Sequence, residues 1–236
     1  MRPRRLRRTQ WLAGSAVALA LLCAGAATVA TARGGGSEPA AVSAPAPRTP
    51  SADSADAGFA REMAVHHQQA VEMSFVVRDR TTDEDVRRLA YDIANTQANQ
   101  RGMLLGWLDL WELPKTAPDG QEPMAWMSGH EDHGGPEGHG GGTAGFEARD
   151  GALMPGMATR TEMRQLGAAE GRKAEVLFLQ LMTDHHQGGV VMAEGCAGLC
   201  AVPAEKRLAQ GMVEAQRSEL DLMADMLAER GSAPRP

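Results

Sequence analysis

The chain of 236 residues has few aromatic residues and few cysteines: four Phe, four Trp, one Tyr and three Cys. Its apolar fraction of 43% therefore rests largely on aliphatic side chains and on 14 Met. Almost no segment alternates apolar and polar residues with a period of two, so β-strands are not expected. The chain is long enough to bury a core, and its composition favours building that core from helices.

The sequence also lacks an excess of basic residues, with a formal net charge of −6. Its basic residues are unevenly placed, because five Arg fall within the first eight residues while the first 32 contain no Asp or Glu. Without those 32 residues, 19 basic residues stand against 30 acidic ones. An acidic chain argues against nucleic acid as the main partner. It remains compatible with a cation as ligand.

Residues 1–32 have the organisation of a targeting segment. A basic stretch is followed by an apolar run, and Ala30-Thr31-Ala32 forms an A-x-A-like cleavage site. The run also has roughly the 20 residues that span a bilayer, so a cleaved signal peptide and an uncleaved membrane anchor are both open. Either way the rest of the chain lies outside the cytoplasm, and only an uncleaved segment would contact the membrane. No second apolar run of that length follows, which excludes a multispan protein.

Residues 33–55 are rich in Gly, Ser, Ala and Pro and predict a disordered linker. Beyond the linker, apolar residues recur at helical spacing over a domain of residues 56–230. The four predicted helices cover residues 56–79, 83–113, 161–194 and 204–230. Between the second and third, residues 114–158 lose the periodicity and form a Gly/Met/His-rich insert.

An internal repeat relates the two halves of this domain. Between positions 59 and 108, twelve residues are identical to the residue 119 positions later, without a gap. The matches include His66-His67-Gln68 with His185-His186-Gln187. Neither helical hairpin can bury its apolar face alone, so the two are expected to pack against each other. The sequence therefore predicts an all-α fold, an antiparallel four-helix bundle made of two repeated hairpins.

The repeated Met and His residues predict a metal site. At about 100° per residue, the Met and His of each copy share one helix face, with the second His of each pair at its margin. The candidate ligands on these faces are Met63, His66, His67, Met73, Met182, His185, His186 and Met192. Thioether sulfur is soft and imidazole suits copper, so the set favours copper, chiefly Cu(I). Met63 and His66 are one turn apart and could share an ion, whereas Met73 lies about 10 Å beyond His66 along the axis, so we expect several ions or sites shared between helices.

Alternatives stay open for the individual residues. Met at helical spacing usually fills a core, and a lone His on an apolar face is more often a hydrogen-bonded core residue. The duplication of M-x2-H-H favours metal contact for the four histidines. Asp184 is either a carboxylate that orients a histidine or a solvated acid. Gln97, Gln100 and Gln216 on the second and fourth helices are typical of surface or interhelix hydrogen bonds, and Glu219 beside them could also ligate a metal.

The insert carries the same chemistry. Its candidate ligands are Met124, Met127, His130, His133, Met154 and Met157. Eight of the 17 residues from 129 to 145 are Gly, so this stretch is not expected to build a core or to use its Met and His for packing. We expect weak metal capture there, with a solvated linker carrying incidental His as the alternative.

Cys196 and Cys200 are spaced C-x3-C near the end of the third predicted helix. In an oxidising compartment a local disulfide is the first interpretation. Metal binding by the two thiols is the alternative.

These motifs resemble the bacterial domain-of-unknown-function family 305. The matching stretches are residues 63–73, 154–158 and 178–193, and the resemblance covers roughly residues 56–230. It implies a ferritin-like fold. Some members are associated with copper handling outside the cytoplasm, with Met and His as ligands, an association that extends to members keeping these residues. This chain keeps both His pairs and the Met that follows each.

The function expected from these observations is copper sequestration or chaperoning outside the cytoplasm, in exchange with a copper-handling protein. The alternative is a metal-free interaction module displayed on the linker. A di-iron oxidase would need Glu-x2-His on two helices, whereas Glu62 lies four residues before His66. Nucleophile-elbow and phosphate-loop motifs are also missing, so no enzyme activity is predicted.

Overall fold

The computed structural model describes residues 49–128 and 147–236, which form an all-α fold as predicted. The five α-helices within these residues are α1 (Ala55–Arg78), α2 (Glu84–Leu110), α3 (Arg160–Ala168), α4 (Gly171–Leu199) and α5 (Pro203–Glu229). Within these residues an isolated bridge between Arg149 and Ala152 is the extent of the β-structure. The predicted targeting segment, residues 1–32, and most of the predicted linker lie outside the described residues.

The helix starts follow local hydrogen-bonding chemistry. Ser54 and Asp83 precede α1 and α2, and each side chain accepts a hydrogen bond from a backbone N–H of the first turn. Thr159 and Glu162 form a reciprocal capping box at the start of α3. Pro203 occupies the first position of α5, where its missing N–H costs no helical hydrogen bond.

The two hairpins predicted from the repeat are present. Helices α1 and α2 pack along one another, as do α4 and α5, and the hairpins meet mainly through α1 and α4. The short α3 packs on α1 and α4. Since α1 and α4 correspond in the repeat, the centre of the bundle is an interface between equivalent helices. None of the helices in the described residues is long and apolar enough to cross a membrane.

The prediction of one continuous third helix is wrong. Helix α3 ends at Ala168, and Ala169 takes an extended backbone conformation. Gly171 then has a φ of +53°, a left-handed conformation that favours glycine, and its N–H donates to the Arg80 carbonyl oxygen at 2.7 Å. This tertiary hydrogen bond fixes a corner that apolar spacing does not reveal.

Two predicted boundaries also differ from those in the structure. Helix α4 continues past Glu194 to Leu199, because Gly195 is accommodated inside the helix against the Met127 side chain. The predicted linker ends before residue 55, since the Arg61 guanidinium donates to the Ala52 carbonyl oxygen and ties this segment to α1. The bundle therefore includes the last few residues that composition assigned to the linker.

The interior contains two apolar clusters. The first lies around Phe59, Met63 and Met192, and the second around Met73, Phe178 and Met182. In the sequences of both α1 and α4, the His pair falls between the residues of one cluster and those of the other. The four histidines, His66, His67, His185 and His186, are called the histidine layer below.

The expectation that the Met residues of the insert are not used for packing is wrong at both of its described ends. Met124 and Met154 are each 2% exposed and belong to the first apolar cluster, while Met127 and Met157 pack against it half-buried. Apolar contacts with α1 and α4 therefore order both ends of the insert. Its candidate ligands His130 and His133 lie outside the described residues.

Candidate metal centre

The faces predicted to carry ligands meet between α1 and α4. His66 and His67 come from α1, and His185 and His186 come from α4. All four are buried, with His185 the most exposed at 1%. The arrangement places the two repeated His pairs opposite one another in the interior of the bundle.

His66 and His185 lie against each other at the centre of the layer. Their ring centroids are 3.8 Å apart and their planes are inclined by 35°. His185 Nε2 is 3.0 Å from the His66 carbonyl oxygen, and His66 Nε2 is 3.2 Å from the Pro155 carbonyl oxygen. Because a carbonyl only accepts, Nε2 carries the proton in each ring. Each Nδ1 therefore keeps a free lone pair.

The outer histidines have different partners. His186 Nε2 lies 2.6 Å from Glu219 Oε2 on α5. The residue that corresponds to Glu219 in the repeat is Gln100 on α2, beside His67. His67 nevertheless has no hydrogen bond at either ring nitrogen within the described residues. The repeat thus provides one histidine paired with a carboxylate and one that faces a neutral amide.

Burial keeps the imidazoles of His66, His67 and His185 neutral. Burial first, and then the neighbouring imidazoles, lower the pKa of His66 to about 4 and that of His67 to about 3, although the Pro155 carbonyl oxygen and Gln100 act in the opposite direction. The pKa of His185 is also well below its ordinary value, chiefly through burial and then through the other three rings. Neutral imidazole is the form that binds a metal ion, so these nitrogens need not lose a proton near neutral pH.

The layer has more buried acceptors than donors. Nδ1 of all four histidines lacks a hydrogen-bond partner among the described residues, as do both amide atoms of Gln97 and the amide oxygen of Gln216. Gln97 and Gln216 correspond in the repeat. An unsatisfied buried polar group costs about 1–3 kcal/mol, and this number of them requires an explanation. A cation bound by the lone pairs supplies one.

Thioether sulfurs flank the layer on both sides. Met63 of α1 and Met192 of α4 belong to the first apolar cluster, and Met73 and Met182 belong to the second. The repeat relates Met63 to Met182 and Met73 to Met192, so the two Met pairs are equivalent. Each pair combines one helix from each hairpin. A site that used both residues of either pair would be shared between α1 and α4.

The imidazoles do not converge on one preformed point. In the parts of the chain that the structure describes, the only three His, Cys, Asp or Glu residues whose ligand atoms lie within 4.8 Å of one another are Cys196, Cys200 and Glu205. A centre in the histidine layer would therefore combine imidazole with thioether sulfur rather than use three imidazoles. That mixture is soft and suits a monovalent copper ion.

The insert supplies the backbone group that orients His66. The segment 154–157 packs on α4 so closely that a Cβ atom on Gly188 would overlap the Pro155 carbonyl oxygen. The same carbonyl accepts the hydrogen bond from His66 Nε2. The absence of a side chain at Gly188 thus lets the insert reach the histidine layer.

Asp184 does not orient a histidine. Its carboxylate binds the guanidinium of Arg235, which also reaches Glu162 at 2.5 Å. The carboxylate that contacts a histidine is Glu219. The 119-residue shift aligns Glu219 with Gln100, so the repeat contains a signal for this position. Counting identities misses that signal, because Gln and Glu are different residues.

Comparison with known proteins places the fold. The family described as "Domain of unknown function (DUF305)" matches residues 56–227. A DUF305 protein from Streptomyces coelicolor, whose secretion is presumed, is 59% identical, with 79% of this chain and 99% of that chain covered and a TM-score of 0.67. A DUF305 fragment from Deinococcus radiodurans is 27% identical, with 74% and 96% covered and a TM-score of 0.58.

A more distant solved structure shares the fold. CopM in its Cu(I)-bound form is 18% identical, with 74% of this chain and 96% of that chain covered and a TM-score of 0.52. At this identity the likeness shows the fold alone. No curated protein sequence matches the chain significantly.

Proposed function

The chain belongs to the DUF305 family, and from this membership and the histidine layer we propose that it is a copper-binding protein that acts outside the cytoplasm. It would sequester or chaperone Cu(I) through Met and His ligands. The chemistry of the donors carries the proposal: buried neutral imidazoles with free Nδ1 lone pairs lie between two equivalent pairs of thioether residues. CopM, which has the same fold, has a solved structure in its Cu(I)-bound form.

The donor set favours Cu(I) over harder ions. Thioether sulfur binds hard cations poorly, and carboxylates are what such ions require. In the histidine layer, Glu219 is the carboxylate in contact with an imidazole, and it is half-buried at the margin. Both Met pairs are fully buried, where a soft and uncharged ligand costs little to desolvate.

Three observations support a place outside the cytoplasm. The sequence of residues 1–32 has the pattern of a targeting segment. The Streptomyces coelicolor relative is presumed to be secreted. Cys196 and Cys200 form a disulfide, and disulfides persist chiefly in oxidising compartments.

We place binding, rather than catalysis, at the centre of the role. The four imidazoles are sealed from solvent, so a bound ion would have no open coordination position facing a substrate. A protein of this kind exchanges its ion with another copper-handling protein. The second candidate is a metal-free interaction module, in which the histidine layer serves only packing.

The decisive experiment is titration of the exported chain with Cu(I) against a competing chelator. We expect binding that weakens at least about tenfold when Met63 and Met192 are both replaced by Leu, which keeps volume and removes sulfur. Met212→Leu is the matched control, since Met212 is buried in the same apolar cluster but lies on α5. Replacement of all four histidines by Ala should abolish binding.

Two results would contradict the proposal. A folded chain that takes up no Cu(I) would favour the interaction module. Undiminished binding by the variant lacking all four histidines would remove the ion from the histidine layer. X-ray absorption of the loaded protein should show both sulfur and nitrogen ligands.

A further inference from the structure

A second group of metal-ligating atoms lies at the turn between α4 and α5, away from the histidine layer. Cys196 and Cys200 form a disulfide that is almost fully buried in the first apolar cluster. Glu205, in the first turn of α5, is fully buried beside them. The ligand atoms of these three residues lie within 4.8 Å of one another. Cys196 is ten residues beyond His186 on α4, about 15 Å along the helix axis.

Glu205 is an unusual neighbour for a disulfide in an apolar cluster. Neither of its carboxylate oxygens has a hydrogen-bond donor among the described residues. The facing carboxylate of Asp56 is itself held by the backbone N–H groups of Ala201 and Val202. Burial first, then the charge of Asp56 and a hydrogen bond between the two carboxyl groups, raise the pKa of Glu205 to about 9. The group is therefore kept neutral where an apolar side chain would cost less.

We propose that the reduced cysteine pair and Glu205 form a second metal site, for Zn²⁺ or a chemically similar divalent ion, which the disulfide closes. Two thiolates and one carboxylate are ligand types that zinc takes in proteins. The site is independent of the copper proposal, because it uses none of the residues of the histidine layer.

The chemistry balances with a dithiol as reductant. The Cys196–Cys200 bond accepts two electrons and two protons from the dithiol, which becomes a disulfide. Binding of the divalent ion then releases the two thiol protons and the proton of Glu205. The ion keeps its oxidation state throughout. A positive charge replaces the proton that the buried carboxyl group otherwise needs.

The test compares the disulfide and dithiol forms of the full chain, using Cd²⁺ as the probe. Dithiothreitol reduces the protein and is removed without oxygen, and free thiols are counted. We expect the dithiol form to bind one more Cd²⁺ than the disulfide form, with a thiolate-to-cadmium charge-transfer band. Sites in the histidine layer contribute equally to both forms and cancel in the difference.

Variants assign the ligands. Glu205→Gln should weaken the additional Cd²⁺ site at least about tenfold while the thiol count stays the same. Glu214→Gln, at an exposed position of the same helix, is the matched control and should change nothing. No additional Cd²⁺ in a dithiol form that keeps its helical content would overturn the proposal, as would equal affinity in the Glu205→Gln variant.

Reduction could also unfold the chain, and circular dichroism monitors this directly. If the dithiol form loses helix, Cd²⁺ should restore it, and failure to do so counts against the site. Cys196→Ala combined with Cys200→Ala should bind no additional Cd²⁺. Uptake by that double variant would place the ion elsewhere and overturn the assignment.

Discussion

His185 donates a hydrogen bond from Nε2 to the carbonyl oxygen of His66, the residue to which it corresponds in the repeat, over 3.0 Å. The reciprocal bond is not made, because His66 Nε2 turns to the Pro155 carbonyl oxygen instead. Two helices that correspond in the repeat thus meet at the centre of the bundle, and the insert gives their histidines different hydrogen-bond partners. The asymmetry continues outward, where Glu219 contacts His186 and the equivalent Gln100 faces His67.

Acid should destabilise the metal-free protein between pH 6.5 and about 4. His66, His67 and His185 have a folded pKa below the unfolded value, so the unfolded chain binds more protons in this window. Stability is full above the unfolded pKa and falls as pH drops, by about 1.4 kcal/mol per histidine per pH unit. Thermal unfolding across pH 4–8 measures this.

Removing the buried imidazoles provides the control for the acid effect. A variant with Gln at all three positions should show a much flatter dependence of the unfolding temperature on pH over the same window. An equally steep dependence in that variant would assign the acid sensitivity to carboxylates instead.

Exchanging the side chains that face the two outer histidines should change the affinity for Cu(I). Glu219→Gln leaves an oxygen that still accepts from His186 but removes the negative charge, and we expect Cu(I) affinity to fall about tenfold. Gln100→Glu adds the equivalent charge beside His67 and should raise affinity. Chelator competition on each single variant and on the double exchange measures both. Identical affinities in all forms would show that neither position senses the ion.

Gly188→Ala should disrupt the contact between the insert and the histidine layer. The added Cβ would overlap the Pro155 carbonyl oxygen, which is backbone and cannot rotate away. We expect a loss of about 1–3 kcal/mol in the free energy of unfolding, with weaker protection of the 154–157 segment in hydrogen exchange. Gly211→Ala on α5 is the control, since an added Cβ meets nothing within 4 Å there. It should stabilise the fold by up to about 1 kcal/mol.

Cu(I) should raise the unfolding temperature of the protein. An ion that binds only the folded state contributes about 2.7 kcal/mol when its free concentration is 100 times the dissociation constant. For a domain of this size that corresponds to a shift of roughly 5–10 °C. Calorimetry with Cu(I) held by a weak chelator measures the shift, and Mg²⁺ at the same concentration should produce none.

The sequence was enough to predict the helices and their pairing because both follow from periodicity. Apolar spacing placed α1, α2 and α5 to within a few residues, and the 119-residue shift paired the hairpins. The same periodicity put His66 and His185 on faces that meet. Helical geometry and duplication are local and repetitive signals, and a single sequence contains them in full.

Features that depend on long-range contacts cannot be predicted from this sequence alone. The corner after α3 depends on a hydrogen bond from Gly171 to Arg80, and the order in the insert depends on Met124 and Met154 entering the first apolar cluster. The burial of Glu205 beside Asp56 joins residues about 150 positions apart. The spacing of residues along the chain does not reveal such contacts, because only folding brings these residues together.

The complete burial of the histidine layer would also limit how fast an ion bound there, as proposed, could leave. An ion held between α1 and α4 could leave only when the two hairpins part, so release and opening would be a single event. Residence time would then reflect the frequency of that opening rather than the strength of any one bond. A recipient protein that favoured separation of the two hairpins would then speed up release of the ion. The rate of transfer would depend on this opening as well as on the relative affinities of the two proteins.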